Sequence, residues 1–253
     1  MKTNILASLL ICTFSIGLLS CASNKPDENF DLEEKFNRGL EYMDKKKYTR
    51  AQREFSQIVI AGSHTDLGDD ALFYLGESHY LKKEYILATA EFERLVQRMK
   101  YSPFVEKARW RICQSFVNES PKYYHDQTYS IKALERLQQF IDEFPESEFV
   151  GEATNTIAEL RTKLGQKAYE TGVLYMKLRV YDSAIIGFED MLAQYYDTKY
   201  ADDAIVGVIQ SYLMLNEFDK AKDFHKQNED RIHSNALKQK IYTLFNNYDI
   251  EKN

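Results

Sequence analysis

The sequence is poor in residues that break helices and has no excess of positive charge. Only 4 prolines and 10 glycines occur among its 253 residues, a composition that suits a largely helical protein. Lysine and arginine number 33 against 39 aspartates and glutamates, so the formal net charge is −6. Because nucleic acid is bound through basic patches that face its phosphates, this mildly acidic chain is not expected to bind nucleic acid.

Motifs of catalysis are also missing. The sequence has no glycine-rich phosphate loop, no H-E-x-x-H pair and no nucleophile in a recognisable elbow. Its 5 histidines are scattered along the chain, and no two of them are four residues apart. We therefore expect a protein without enzyme activity, cofactor or metal.

Long apolar runs are scarce, and the one that stands out lies at the N-terminus. Residues 5–19 are almost entirely apolar and follow Lys2. This run is shorter than the about 20 residues of a membrane-spanning helix and is typical of a secretory signal peptide. Leu18-Leu19-Ser20-Cys21 ends the run and resembles the lipobox of bacterial lipoproteins. The alternative is an ordinary signal peptide with an incidental cysteine.

The lipobox resemblance implies that residues 1–20 are removed and that the Cys21 sulfur carries a diacylglyceryl group. Two or more acyl chains then give stable anchoring in a membrane. Ala22 and Ser23 follow, with no aspartate directly after the cysteine, which by resemblance to proteobacterial lipoproteins favours the outer membrane. Since Cys12 leaves with the signal, Cys113 has no intramolecular disulfide partner, and we interpret it as a small packing residue.

Small and aromatic residues recur with a spacing of 37 residues. Glycine, two aromatic positions, alanine and phenylalanine follow each other in the same order in two neighbouring segments: Gly39, Tyr42, Tyr48, Ala51, Phe55 and then Gly76, His79, Tyr85, Ala88, Phe92. Three further segments show related patterns: one contains Ala108 and Cys113, one begins at Gly172, and one begins at Ile209. The pattern resembles the tetratricopeptide consensus, in which helices A and B of each unit form a hairpin. His79 takes an aromatic position, so packing is favoured over metal binding.

This register predicts an all-α fold, an α-solenoid of five helical hairpins with a C-terminal capping helix. Residues 118–128 form a polar loop inserted in unit three, and residues 149–177 are consistent with one long helix or two nearly continuous ones. The predicted organisation is a signal peptide at 1–20, a lipidated tether at 21–31, repeats 1–3 at 32–145, repeats 4–5 at 146–233, and the capping helix and tail at 234–253.

The concave surface of such a solenoid is lined by helix A of each unit and is where partners bind. The family positions that face it hold aromatic and aliphatic residues: Phe36, Met43, Phe73, Tyr80 and Trp110. We interpret these five residues as a candidate peptide groove. The alternative is that tight superhelical packing buries them, and the sequence leaves both open.

Together these features resemble the BamD family of tetratricopeptide lipoproteins, which belong to the outer-membrane β-barrel assembly machine. Local phrases at 137–145, 160–169 and 189–198 look similar as well, although Tyr196 stands where the family usually has proline. The resemblance implies that C-terminal units bind the periplasmic domains of a BamA-like barrel protein. It also implies that N-terminal units meet unfolded outer-membrane proteins and that accessory lipoproteins dock. The alternative is another periplasmic tetratricopeptide lipoprotein that scaffolds envelope or peptidoglycan machinery.

Overall fold

The computed structural model describes residues 32–61 and 67–252. Cys21, the signal peptide and the tether lie outside the described residues. Those residues form helices and turns without a strand, and none of the helices is long and apolar enough to span a membrane. The α-helices, in chain order, are α1 (Leu32–Asp44), α2 (Tyr48–Ala61), α3 (Gly68–Leu81), α4 (Tyr85–Arg98), α5 (Val105–Glu119), α6 (Thr128–Glu143), α7 (Val150–Lys177), α8 (Tyr181–Gln194), α9 (Ala201–Met214), α10 (Phe218–Asn228) and α11 (Asn235–Lys252).

Consecutive helices pack as five hairpins, in which α1, α3, α5, α7 and α9 are helix A and the next helix in the chain is helix B. Each helix B also contacts the helix A that follows it, so the hairpins stack, and α11 closes the stack by packing on α9. The predicted all-α solenoid is confirmed. A short 3₁₀ turn, Glu229–Arg231, precedes α11.

The turns within the hairpins share one geometry in units one, two, four and five. A single non-glycine residue in each turn has a positive φ angle of 55–66°: Lys46, Lys83, Arg179 and Asn216. The amide of the next residue donates to the carbonyl five residues back, as from Lys47 to Tyr42 at 2.8 Å. This Schellman arrangement satisfies carbonyls that helix A leaves free, and it reverses the chain so that helix B begins at once.

The small residues of the repeat lie where helices A and B approach each other. A Cβ atom added to Gly39 would lie 2.6 Å from the ring of Phe55, and one added to Gly172 would lie 2.5 Å from the ring of Phe188. The alanines of helix B are 0% exposed in all five units: Ala51, Ala88, Ala133, Ala184 and Ala221. The predicted register therefore describes the packing within each hairpin.

Two hydrophobic cores are present in the described chain, and α7 contributes to both. Ala153 and Leu160, near the start of α7, pack with α1–α6. Tyr169 and Val173, further along, pack with α8–α11. Residues 150–177 form one continuous helix of 28 residues, about 42 Å long. The first core thus extends past Pro145 into α7.

Candidate protein-binding surface

Two of the five candidate groove residues are buried. Phe73 is 8% exposed and Trp110 is 5% exposed. The Phe73 ring stacks on Phe104 with centroids 4.5 Å apart, and the Trp110 ring stacks on Phe149 with centroids 5.2 Å apart. Because each ring is covered by the residue that immediately precedes the next helix A, these two side chains belong to the core. This is a correction to the groove interpretation, since the packing alternative describes both.

The covering rings were missed by sequence reasoning, although they leave a signal. Phe104 covers Phe73, and Tyr200 covers Tyr169; in both pairs the covering residue comes 31 residues after the ring. Leu67 stands at the same spacing after Phe36 and packs against the first core. An apolar residue directly before each helix A is therefore part of the repeat, beyond the positions of the consensus used above.

The other three candidates are partly exposed, and polar groups surround one of them. Phe36 contacts the ring of Tyr74 at a centroid distance of 5.6 Å, and Met43 packs at the edge of the first core. The Arg111 guanidinium lies 4.6 Å above the Tyr80 ring, and Asn118 donates a hydrogen bond to the Tyr80 hydroxyl at 3.2 Å. Peptide binding at Phe36, Met43 and Tyr80 stays a prediction.

A carboxylate–guanidinium pair joins the helix A surfaces of units two and three. Arg111 on α5 binds the Glu77 carboxylate on α3 through both Nε and Nη2, and the Nη2–Oε2 distance is 3.0 Å. Burial would lower the pKa of Arg111, yet the Glu77 carboxylate holds that pKa above its ordinary value. The face of α3 and α5 therefore combines aromatic rings with a fixed ion pair and is not a continuous apolar stripe.

His79 makes polar contacts in addition to packing. Its Nδ1 lies 2.8 Å from Oε2 of Glu84 and 3.1 Å from Nε2 of Gln52, so the group connects α2 to the turn between α3 and α4. Hydrogen bonds from Lys82, and then from His79 and Gln52, lower the pKa of Glu84 to about 2. This cluster holds neighbouring repeats together.

Cys113 lies in unit three at the position that glycine takes in units one and two. It is 1% exposed, and its thiol donates to the carbonyl of Arg136 at 3.2 Å. Burial raises the pKa of the Cys113 thiol to about 12, so the thiol stays protonated at neutral pH. Within the described residues, no group of three or more histidine, cysteine or acidic side chains could hold a metal ion.

Unit four carries an exposed apolar surface that the sequence analysis did not single out. Leu174 on α7 is 54% exposed, and Leu178, directly after α7, is 60% exposed. Val180, in the following turn, is 46% exposed. The corresponding positions of unit one hold Glu41, Lys45 and Lys47, so comparison between repeats would have revealed this difference.

Comparison with known proteins places the chain in a family. It is similar to the outer membrane protein assembly factor BamD of Rickettsia prowazekii, with 24% identity over 231 residues that cover 88% of each chain. It is also similar to BamD of Caulobacter vibrioides, with 19% identity over 86% of this chain and 72% of the relative.

Among solved structures, the TPR2AB domain of yeast Sti1 in complex with pHSP90 has a TM-score of 0.43 and 14% identity, over 87% of this chain and 83% of that one. A thermophilic TPR protein of Thermus thermophilus has a TM-score of 0.36 and 14% identity, over 85% of this chain and 98% of that one. The model of the YfiO family, described as outer membrane lipoprotein, matches residues 29–227. Since this match covers most of the sequence, the chain belongs to the YfiO family of outer membrane lipoproteins.

Proposed function

We propose that this protein is a non-catalytic component of the machinery that assembles β-barrel proteins in the outer membrane, anchored by lipid and facing the periplasm. The observation that carries the proposal is the similarity, over 88% of the chain, to a relative named as an assembly factor. The fold agrees with such a role, because stacked helical hairpins present extended surfaces for binding other proteins. Membership of a family of outer membrane lipoproteins supports the location.

The anchor is proposed at Cys21, on the strength of the lipobox resemblance. Replacement of this residue, Cys21→Ser, should give a protein without lipid that is lost from the membrane fraction, as measured by fractionation and mass spectrometry. The matched control is Cys113→Ser, because Cys113 is buried in the repeat core and should not affect lipidation. A Cys21→Ser protein that still carries lipid would exclude this anchor.

The partners are proposed to divide between the two cores. The C-terminal units would bind the periplasmic domains of a BamA-like barrel protein, and the N-terminal units would meet unfolded outer-membrane proteins. A chain that ends at residue 164 keeps every helix of the first core and the α7 residues that pack into it. Because repeats depend mainly on their neighbours, this fragment should fold.

Affinity purification from detergent-solubilised outer membranes tests this arrangement. The full chain should retain a large β-barrel protein, together with any accessory lipoproteins, and the fragment without residues 165–253 should not. Circular dichroism of the fragment verifies that it is folded. Retention of the barrel protein by the folded fragment would place docking in the N-terminal units. Recovery of peptidoglycan-binding proteins without a barrel protein would favour a scaffold of envelope machinery.

A further inference from the structure

Helix A of a stacked repeat has one side that packs against helix B of the preceding repeat, and we call this side the stacking face. Two small residues seven positions apart mark it in units two, three and five. These residues are at most 1% exposed: Ala71 and Ser78, Ala108 and Ser115, Ala204 and Ser211. The preceding helices that pack against α3, α5 and α9 are α2, α4 and α8.

The long helix α7 carries this face twice. Its first copy consists of Ala153 and Leu160, which are 0% and 4% exposed and lie in the first core beneath α6. Its second copy, in the part of α7 that pairs with α8, consists of Lys167 and Leu174. The two copies are 14 residues apart, which corresponds to an advance of about 21 Å and a rotation of about 40° along an α-helix. The second copy therefore points nearly the same way, but lies beyond the first.

In the described chain, the loop between α5 and α6 reaches the start of the second copy. Lys163 donates to the Ser120 hydroxyl, and Lys167 donates to the carbonyl of His125 at 2.6 Å. Beyond Lys167 the stacking face is exposed, because Leu174 is 54% exposed and Leu178, one turn further, is 60% exposed.

Unit one offers a comparison, because no repeat precedes it among the described residues and its stacking face is therefore not covered by them. It holds Glu41 at the position of Leu174 and Lys45 at the position of Leu178. These two charged residues pair with each other. At these two positions the uncovered face of unit four is apolar instead, whereas Glu170 and Thr171, between Lys167 and Leu174 on the same face, are polar and exposed. Single exposed leucines elsewhere would need no explanation.

We propose that the segment from Lys167 of α7 to Leu178, the residue directly after this helix, is the docking site for an amphipathic helix of a partner protein; we call this segment the α7 ledge. The partner helix would take the place that helix B of a preceding repeat takes on α3, α5 and α9. Lys177 and Arg179 lie exposed at one end of the ledge, and Glu170 lies exposed nearer its start. At the end that holds Lys177 and Arg179, charge complementarity therefore calls for acidic side chains beside an aliphatic stripe.

A helix of this chain illustrates that chemistry. The helix seated on the stacking face of unit five is α8, which buries Ile185 and Leu192. Its exposed side carries acidic residues, namely Asp182, Glu189 and Asp190. The proposed partner helix has the same combination of buried aliphatic and exposed acidic side chains, and the proposal does not depend on the assembly role given above.

Site-specific cross-linking in the full-length protein in its native envelope tests the occupant. A photoreactive amino acid is placed at position 174, and the matched control carries it at position 41, the same register position of unit one. We expect one partner at position 174, joined through a helical segment with acidic borders, and no such product at position 41. Products confined to a second copy of this chain, to lipid, or to the level of the control would overturn the proposal.

The double substitution Leu174→Ser with Leu178→Lys gives the ledge the residues that unit two carries at these positions, Ser78 and Lys82. Because both leucines are more than half exposed, the melting temperature should not change. Retention of the cross-linked partner should weaken by about tenfold or more, since the apolar contact is lost. The control is Ile60→Ser, which removes an 83% exposed apolar side chain from α2. Unchanged retention by the double variant would show that the ledge is not the site.

Discussion

Gly76 lies where α3 crosses α4, directly against the ring of Phe92. A Cβ atom added at Gly76 would lie 2.6 Å from Cε1 and 2.8 Å from Cδ1 of this ring. Since Phe92 is 0% exposed, its ring has no free space into which to move. Overpacking of this kind costs about 1–3 kcal/mol. Alanine regains about 1 kcal/mol of helix propensity over glycine. For Gly76→Ala we expect a net loss of about 0–2 kcal/mol in the free energy of unfolding.

Gly151 is the matched control, because the same substitution there meets no obstacle. It lies exposed in the first turn of α7, and a Cβ atom added to it would have no other atom within 4 Å. Gly151→Ala should therefore stabilise the protein, by about 0.5–1 kcal/mol. Thermal melts followed by circular dichroism can resolve the difference, since 1 kcal/mol shifts the melting temperature by roughly 2–4 °C in a chain of this size.

Unit three suggests how the clash at Gly76 can be relieved. Its counterparts of Gly76 and Phe92 are Cys113 and Leu137, so a larger residue on helix A accompanies a smaller one on helix B. Gly76→Ala should cost less in a Phe92→Leu background than in the native chain, which a double-mutant cycle measures as coupling. If Gly76→Ala stabilised the protein as Gly151→Ala does, or if the cycle showed no coupling, the assignment of this contact would be refuted.

Three further predictions concern single side chains. Phe73→Ala should lower the free energy of unfolding by about 3–5 kcal/mol in denaturant titration, because the ring is buried. A nearly unchanged midpoint would instead support an open groove at Phe73. The Cys113 thiol should react with a thiol reagent only as the protein unfolds, since its pKa is about 12, and rapid reaction of the native chain would contradict this burial. The pKa of Glu84 is lowered to about 2 in the folded state, so its ionised form contributes stability above the pKa of an unfolded glutamate, and that contribution is lost as the pH falls toward 2. Glu84→Gln should reduce this part of the acid dependence of unfolding, and an unchanged profile would argue against the hydrogen bonds from Lys82 and His79.

The hairpins could be predicted because the contact between helices A and B is encoded at fixed positions. Glycine or alanine on one helix and a ring on the other fill a close crossing, and this constraint repeats wherever the hairpin repeats. The buried state of Phe73 and Trp110 could not be derived in the same way. The rings that cover them, Phe104 and Phe149, lie in the six-residue connections between units, outside the consensus positions that set the register.

Polar contacts between repeats escaped prediction for a related reason. Gln52 and Glu84 are 32 residues apart and meet at 3.0 Å only because the turn after α3 reverses the chain at Lys83. A consensus position for an aromatic residue gives no indication that His79 will bind both of them. Interactions of this kind depend on how one unit stacks on the next, and the sequence pattern of a single unit does not contain that information.

For residues 150–177 the sequence pattern is consistent with one long helix or two, and the structure has one. This region contains no proline, and its internal glycines, Gly165 and Gly172, are both buried, so nothing ends the helix between them. Two copies of the stacking face thus share one helix at a separation of 14 residues, close to four full turns. A helix that is continuous through both copies cannot fold back to cover the second one. The α5–α6 loop covers the second copy only as far as Lys167, and Leu174 and Leu178 remain uncovered by the described chain. The same continuity that joins the two cores is therefore the physical origin of the α7 ledge.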